Sequence, residues 1–190
     1  IVLNLLGPTG PGSGSARATL LVGRADTGGQ RFATDEARPA VFTIDQSIVT
    51  DLQKTASEYR NKDLFDFRSF TASRLELRRG SETQTFEKTK AADGKETWRS
   101  AGKDLDMTKV EDLLTKLSGL RAASFESSAH ASLRAPVLTA VATFDNSKTE
   151  TVTFGRAGAD VYASRADEPG SAKLEATSFD ETIKAIDALK

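Results

Sequence analysis

His130 stands in the run SSAHASLRAP, with Ser127, Ser128 and Ser132 within three residues of it. An imidazole beside a hydroxyl is the pairing that activates a serine nucleophile. Such dyads are assembled by a fold from separated segments, and neighbours on one loop rarely meet in the required geometry, so this run reads as a solvated loop. One histidine and no cysteine leave a zinc site dependent on clustered carboxylates, and none are suitably clustered. Two acidic pairs, Asp35-Glu36 and Asp167-Glu168, could share acid–base work. Each precedes a proline, Pro39 or Pro169, and recurrence in that setting is what polar turns require. No metal, cofactor or catalytic residue is therefore expected, and the chain reads as a non-enzyme.

Three further groups of side chains could recognise a partner. Arg24 and Arg156 each follow a glycine at the end of an apolar strand, where a guanidinium can hold an anion or simply turn into solvent. Trp98, the only tryptophan, lies at a strand end and is either a partner anchor or a core residue beneath a helix carrying Leu113 and Leu117. Leu64, Phe65, Phe67 and Phe70 crowd a segment, NKDLFDFRSF, too apolar for a free tether.

The composition limits the partners. Hydrophobic content of 38% with 28% charged residues fits a folded soluble chain. Twenty-six basic and 27 acidic residues give a net charge of −1, which offers no field to draw nucleic acid or an anionic membrane. The absence of cysteine excludes disulfides and thiol chemistry and decides no compartment. No apolar run approaches the roughly 20 residues that span a bilayer. The opening IVLNLL lacks Met and reads as a strand already under way, which leads us to expect a missing upstream part.

The elements that position these groups are written twice. ARATLLVGRA matches KTETVTFGRA, with Gly23 and Gly155 separated by 132 positions. Phe32 and Tyr162 are separated by 130, as are Pro39 and Pro169. Ser47 and Ser178, each expected to open a helix, are 131 apart. Order and spacing held this closely indicate an internal repeat with indels confined to turns. In the second copy, PVLTAVATFD and KTETVTFG form a hairpin across Asp145-Asn146-Ser147, followed by strands ADVYASR and AKLEA. The box Ser178-Phe179-Asp180-Glu181 then opens a helix burying Phe179, Ile183, Ile186 and Leu189. The first copy's helix carries Ile48 and Leu52.

Ahead of that copy, SRLELRRGSETQTFEKT and KETWRS alternate inward Leu75, Leu77 and Phe86 with outward charges, around a turn at Asp93-Gly94. Asp106 caps a helix through MTKVEDLLTKLSGLRAASF with Val110, Leu113, Leu114, Leu117 and Leu120 on one face, and Gly119 lies near its end. GPTGPGSGSA reads as a long flexible hairpin loop; it lacks the Lys-Ser/Thr ending of a phosphate loop.

SRLELRRGSETQTFEKT, WR, KVEDLLTKLSGLRAASF and ETVTFGRAGADVYASRADEPGSAKL, in that order, resemble the domain-of-unknown-function family numbered 4340. Where that resemblance leads us to expect Gly-Leu-Asp-x-Pro, this chain has SSAHASLRAPVL. The resemblance implies tandem copies, an N-terminal membrane anchor, a location outside the cytoplasm and encoding beside ABC-type transporters of the gliding-motility-associated kind. It supplies no catalytic residues.

The sequence thus predicts an α+β fold of tandem units, each a mostly antiparallel sheet with helices on one face. Residues 1–62 form the C-terminal part of a first unit, 63–70 an apolar linker packed between units, and 71–190 a complete second unit. The expected role is a non-enzymatic extracytoplasmic accessory module of a bacterial transport assembly. Its partner would be a transporter permease or related envelope protein, and its candidate contact residues are Arg24, Arg156, Trp98, Phe65 and Phe67. The alternative is an envelope ligand-binding module, for glycan or lipid, with Phe65, Phe67 and Phe70 lining a cleft between copies.

Overall fold

A computed structural model describes residues 2–6, 15–90, 94, 96–145 and 147–189, and the chain divides into two compact units, Ile1–Arg60 and Asn61–Lys190. Both are built from antiparallel strands with few helices, so the fold is α+β. The Gly-rich stretch at 7–14, Asp93 and Asn146 of the expected turns lie outside the described residues.

In the first unit, β1 (Val2–Leu6), β2 (Ser15–Ala25), β3 (Arg31–Asp35) and β4 (Val41–Ile44) pair as a meander in chain order. Short polar side chains make its turns. Asp26 Oδ1 accepts from the Gly28 and Gln30 amides at 2.8 Å each, and Asp35 Oδ1 accepts from the Ala37 amide at 3.0 Å. Val22, Ala33 and Phe42 stand in register on one face; Leu21, Thr34 and Val41 stand on the other. A bulge at residues 23–24 interrupts the β2–β3 ladder after Val22. Helix α1 (Gln46–Leu52) follows, and α2 (Ala56–Tyr59) is a single turn closed by a Thr55–Glu58 capping box. The cap of α1 is Asp45, whose carboxylate accepts from the Ser47 amide at 3.2 Å, and not Ser47 itself. Its buried residue is Val49, while Ile48 and Leu52 are exposed.

The second unit carries one nine-stranded sheet. Strands β5 (Ala72–Arg79), β6 (Glu82–Lys90), β7 (Glu96–Ser100) and β8 (Lys103–Asp104) form one meander. After helix α3 (Met107–Ser118) comes β9 (Ala122–Glu126), then a 3-10 turn at Ala131–Arg134. A second meander follows: β10 (Leu138–Phe144), β11 (Lys148–Ala157), β12 (Asp160–Arg165) and β13 (Ser171–Leu174), ending in α4 (Ala176–Asp187). The spatial order is β8-β7-β6-β5-β10-β11-β12-β13-β9, so β5 and β10 join the meanders and β9 closes the far edge.

Alternation decides the faces. Leu138, Ala140, Ala142 and Phe144 of β10 point inward with Leu75 and Leu77 of β5, Phe86 of β6, and Val152 and Phe154 of β11. Val110, Leu113, Leu114 and Leu117 of α3 and Phe179 and Ile186 of α4 complete the core. Asp106 caps α3 as its sequence requires, accepting from the Thr108 and Lys109 amides at 2.9 and 3.3 Å.

Two helix boundaries need correction. The helix read through RAASF stops at Ser118, because Gly119 ends it and residues 122–126 pair with β13 instead. Helix α4 begins at Ala176, two residues before the Ser178 box, with Glu175 at its cap. Segment 63–70 gives Leu64, Phe65 and Phe67 to the second unit's core.

Candidate functional site

Segment 127–137 lies on the face of β11 and β12 that is turned away from the core. Its 3-10 turn is capped by His130, whose Nδ1 accepts from the Ser132 amide at 3.2 Å, so the neutral ring carries its proton on Nε2. The Ser132 hydroxyl lies 2.9 Å from the same Nδ1. The imidazole stacks on Tyr162, with centroids 3.6 Å apart and planes 3° from parallel. The His130 amide donates to Ser171 Oγ at 3.2 Å, and Ser171 Oγ donates to the Ser128 carbonyl at 3.0 Å. Beneath the turn is Gly155, where a Cβ would lie 2.6 Å from the carbonyl carbon, carbonyl oxygen and hydroxyl of Ser132. The Ser-His pair suspected from the sequence does meet, and in this arrangement it caps a turn and seals Gly155. Ser171, which the sequence did not single out, is the buried hydroxyl that fastens the segment.

The acidic pair Asp167-Glu168 belongs to a second cluster centred on Arg165. That guanidinium reaches Asp167 at 3.1 Å, Asp66 at 3.3 Å and Glu168 at 3.4 Å, and donates to the Leu64 carbonyl at 3.3 Å. Hydrogen bonds from Arg165 hold the Asp167 carboxyl below its usual range. Asp167 and Asp66 in return raise the guanidinium further. Glu150 accepts from the Asp66 amide at 3.0 Å through both carboxylate oxygens, and burial pushes its own carboxyl up. Arg165 and Glu150 thus pin the backbone that carries Phe65 and Phe67. The other acidic residue suspected of chemistry, Asp35, makes a turn in the first unit and pairs with Arg38 at 3.5 Å.

The remaining contact candidates fall on both sides of the surface. Trp98 is 1% exposed, and Phe65 and Phe67 are 0% exposed, so these three fill the core and present no face to a partner. Phe65 packs edge-on against Phe67 at 5.3 Å, and Lys88 Nζ lies 5.9 Å over the Trp98 ring. Phe70 is 78% exposed beside a hollow of about 330 Å³ lined also by Lys88, Trp98, Met107 and Glu111. Arg156 pairs with Asp180 and lies 5.8 Å over the Phe179 ring, which ties β11 to α4. Arg24 is exposed in the β2 bulge.

Residues 3–137, well over half of the chain, match the family described as Domain of unknown function (DUF4340). The chain belongs to the DUF4340 family. No curated protein and no solved structure matches it. The DUF4340 match begins in β1 and ends one residue before β10, so it runs through residues of both compact units. Within it, the tryptophan and the helical leucines are core residues of the second unit, and Gly119 ends α3. Among the described residues no group of three His, Cys, Asp or Glu could hold a metal ion, and no helix is long and apolar enough to cross a membrane.

Proposed function

We propose that this DUF4340 chain is a non-enzymatic interaction module assembled from one and a half copies of a single α+β unit, acting outside the cytoplasm in an ABC-type membrane transport assembly. The repeat is supported by strand register. Leu20↔Asp35, Leu21↔Thr34 and Val22↔Ala33 in β2–β3 correspond to Val152↔Arg165, Thr153↔Ser164 and Phe154↔Ala163 in β11–β12. Ala33↔Phe42 and Phe32↔Thr43 likewise correspond to Ala163↔Ala172 and Tyr162↔Lys173. The caps Asp45 and Glu175, and the buried helix residues Val49 and Phe179, keep the same spacing of 130 as β3 and β12. The two ladders part at residues 23–24, where β2 bulges and β11 does not.

The interaction role rests on one observation. Leu21, Phe32 and Val41 are 51%, 36% and 73% exposed on a single sheet face of the first unit. An apolar row of that kind gains free energy when a partner removes it from water. The transport setting follows from what the family resemblance implies about anchoring and gene neighbours. The ligand-module alternative loses Phe65 and Phe67 as lining residues, since both lie in the second unit's core.

Cross-linking and co-purification of the native protein from gently solubilised membranes tests this reading. Recovery of a permease or ATPase is the expected result. Emergence of the protein alone, unassociated with membrane, would overturn the transport setting.

A further inference from the structure

Phe65 and Phe67 enter the core of the second unit, while Phe70 is 78% exposed. The turn that carries Phe70 is held. The Thr71 amide donates to the Arg68 carbonyl at 2.9 Å, and the Thr71 hydroxyl donates to the same carbonyl at 3.0 Å and accepts from the Arg68 amide at 3.2 Å. An apolar ring fixed in the open beside a hollow of about 330 Å³ has surface to give to a ligand.

Three elements wall the hollow. Met107 and Glu111 lie one turn apart on a single stripe of α3, with Thr115 a turn further on. Lys88 and Trp98 are register partners in β6 and β7, and Glu96 stands two residues from Trp98, so these three share one sheet face. Phe70 is the third wall. Trp98 is buried and serves as floor, while Met107 is half-buried.

The charges select the ligand. Lys88 Nζ lies 3.4 Å from Glu96 and 5.9 Å over the Trp98 ring, so its charge is matched within the hollow. The Glu111 carboxylate has no hydrogen-bond or ion-pair partner among the described residues. One ammonium and two carboxylates leave the lining net negative, which repels an anion. A wholly apolar ligand would strip water from Glu111 and give nothing back. An organic cation satisfies both groups, with its stem on Phe70 and Met107 and its head on Glu111.

We propose that the hollow between α3, β6–β7 and Phe70 binds a small organic cation, a primary ammonium or guanidinium on a short alkyl or aryl stem. Glu111 accepts from the head, Phe70 and Met107 take the stem, and Lys88 opposes binding. A volume at the lower end of small-molecule sites keeps the stem short. The site lies within the second unit and goes beyond the interaction-module reading without resting on it.

The test is an amide NMR titration of the 190-residue chain with 2-phenylethylammonium and with its neutral isostere 2-phenylethanol. The ammonium is expected to saturate at about millimolar concentration, with shifts gathered on residues 69–70, 96–98 and 107–115, and the alcohol to bind at least about tenfold more weakly. Glu111→Gln should remove that difference by weakening the ammonium alone, whereas Phe70→Ala should weaken both probes. Lys88→Met, which keeps an apolar stem over Trp98, should tighten the ammonium about threefold or more. Glu111 and Phe70 are exposed, and all three variants are checked for unchanged amide dispersion first. No saturation, shifts spread over the chain, equal affinity for the two probes, or an ammonium affinity indifferent to Glu111→Gln would overturn the proposal. Tighter binding of acetyl-Gly-Lys-Gly-amide than of the ammonium would also overturn it, by making a polypeptide side chain the occupant. A silent titration leaves the transport setting untouched, and failure to recover a membrane partner leaves this site untouched.

Discussion

Glu150 and Asp167 sit in one cluster around Arg165 and are displaced in opposite directions. Asp167, lowered by its hydrogen bonds to Arg165, contributes stability that is present above the ordinary carboxylate range and lost as pH falls through its depressed folded value. Glu150, raised by burial, contributes in the opposite sense: its part is complete below the ordinary range and lost as pH rises through its elevated folded value. A carboxyl-detected titration should therefore show Glu150 protonating first on acidification, and the reverse order would refute the geometry. Denaturation measured against pH should show Glu150→Gln holding or gaining stability near neutrality. Asp167→Asn should lose stability there and flatten the acid limb. A second contrast compares Gly155 with Gly23. Gly155→Ala forces a Cβ against Ser132 and should cost about 1–3 kcal/mol, whereas Gly23→Ala meets ordinary contacts and should be close to neutral. Equal effects in urea unfolding would contradict the close packing of segment 127–137 on Gly155.

At the scale of elements, segment 63–70 shows why apolar content alone does not say where a chain packs. The sequence marked Leu64, Phe65, Phe67 and Phe70 alike, yet Phe65 and Phe67 are fully buried and Phe70 is open. The difference lies in what holds the backbone: Glu150 binds the Asp66 amide, Arg165 binds the Leu64 carbonyl, and the Leu64 amide donates to the Leu120 carbonyl at 3.1 Å. None of those partners is a sequence neighbour. Phe65→Ala is expected to cost about 3–5 kcal/mol and Phe70→Ala no more than about 0.5 kcal/mol, read from denaturant midpoints at a shared slope. Strand β9 makes the same point. Its AASFE continues the apolar spacing of α3 and was legible only as helix; its strand state comes from hydrogen bonding to β13, more than forty residues onward.

For the whole molecule, the two units differ in the core available to each. Within residues 19–60, the first unit buries only Ala33 and Val49 as apolar residues, while the second unit buries a continuous cluster from Leu64 to Ile186. A chain of about 60 residues is small enough to be marginal by itself. Residues 61–190 expressed alone should therefore keep a cooperative thermal transition within a few degrees of the full chain, about the shift that one lost kcal/mol would produce. Residues 1–60 alone should show a broad and lower one. Circular dichroism melts of the two fragments decide it, and a cooperative, more stable first fragment would reverse the assignment of the core.

The sequence by itself determined the α+β class, the strands whose alternation is unbroken and the cap of α3 at Asp106. Those features depend on side-chain period and on residues adjacent in the chain. Tertiary structure alone decided that Trp98, Phe65 and Phe67 are interior, that β9 is a strand, and that His130 seals a sheet face. It also decided that Leu21, Phe32 and Val41 stand open. Each of these turns on hydrogen-bond partners or packing surfaces brought together from distant segments, and local spacing carries no record of them.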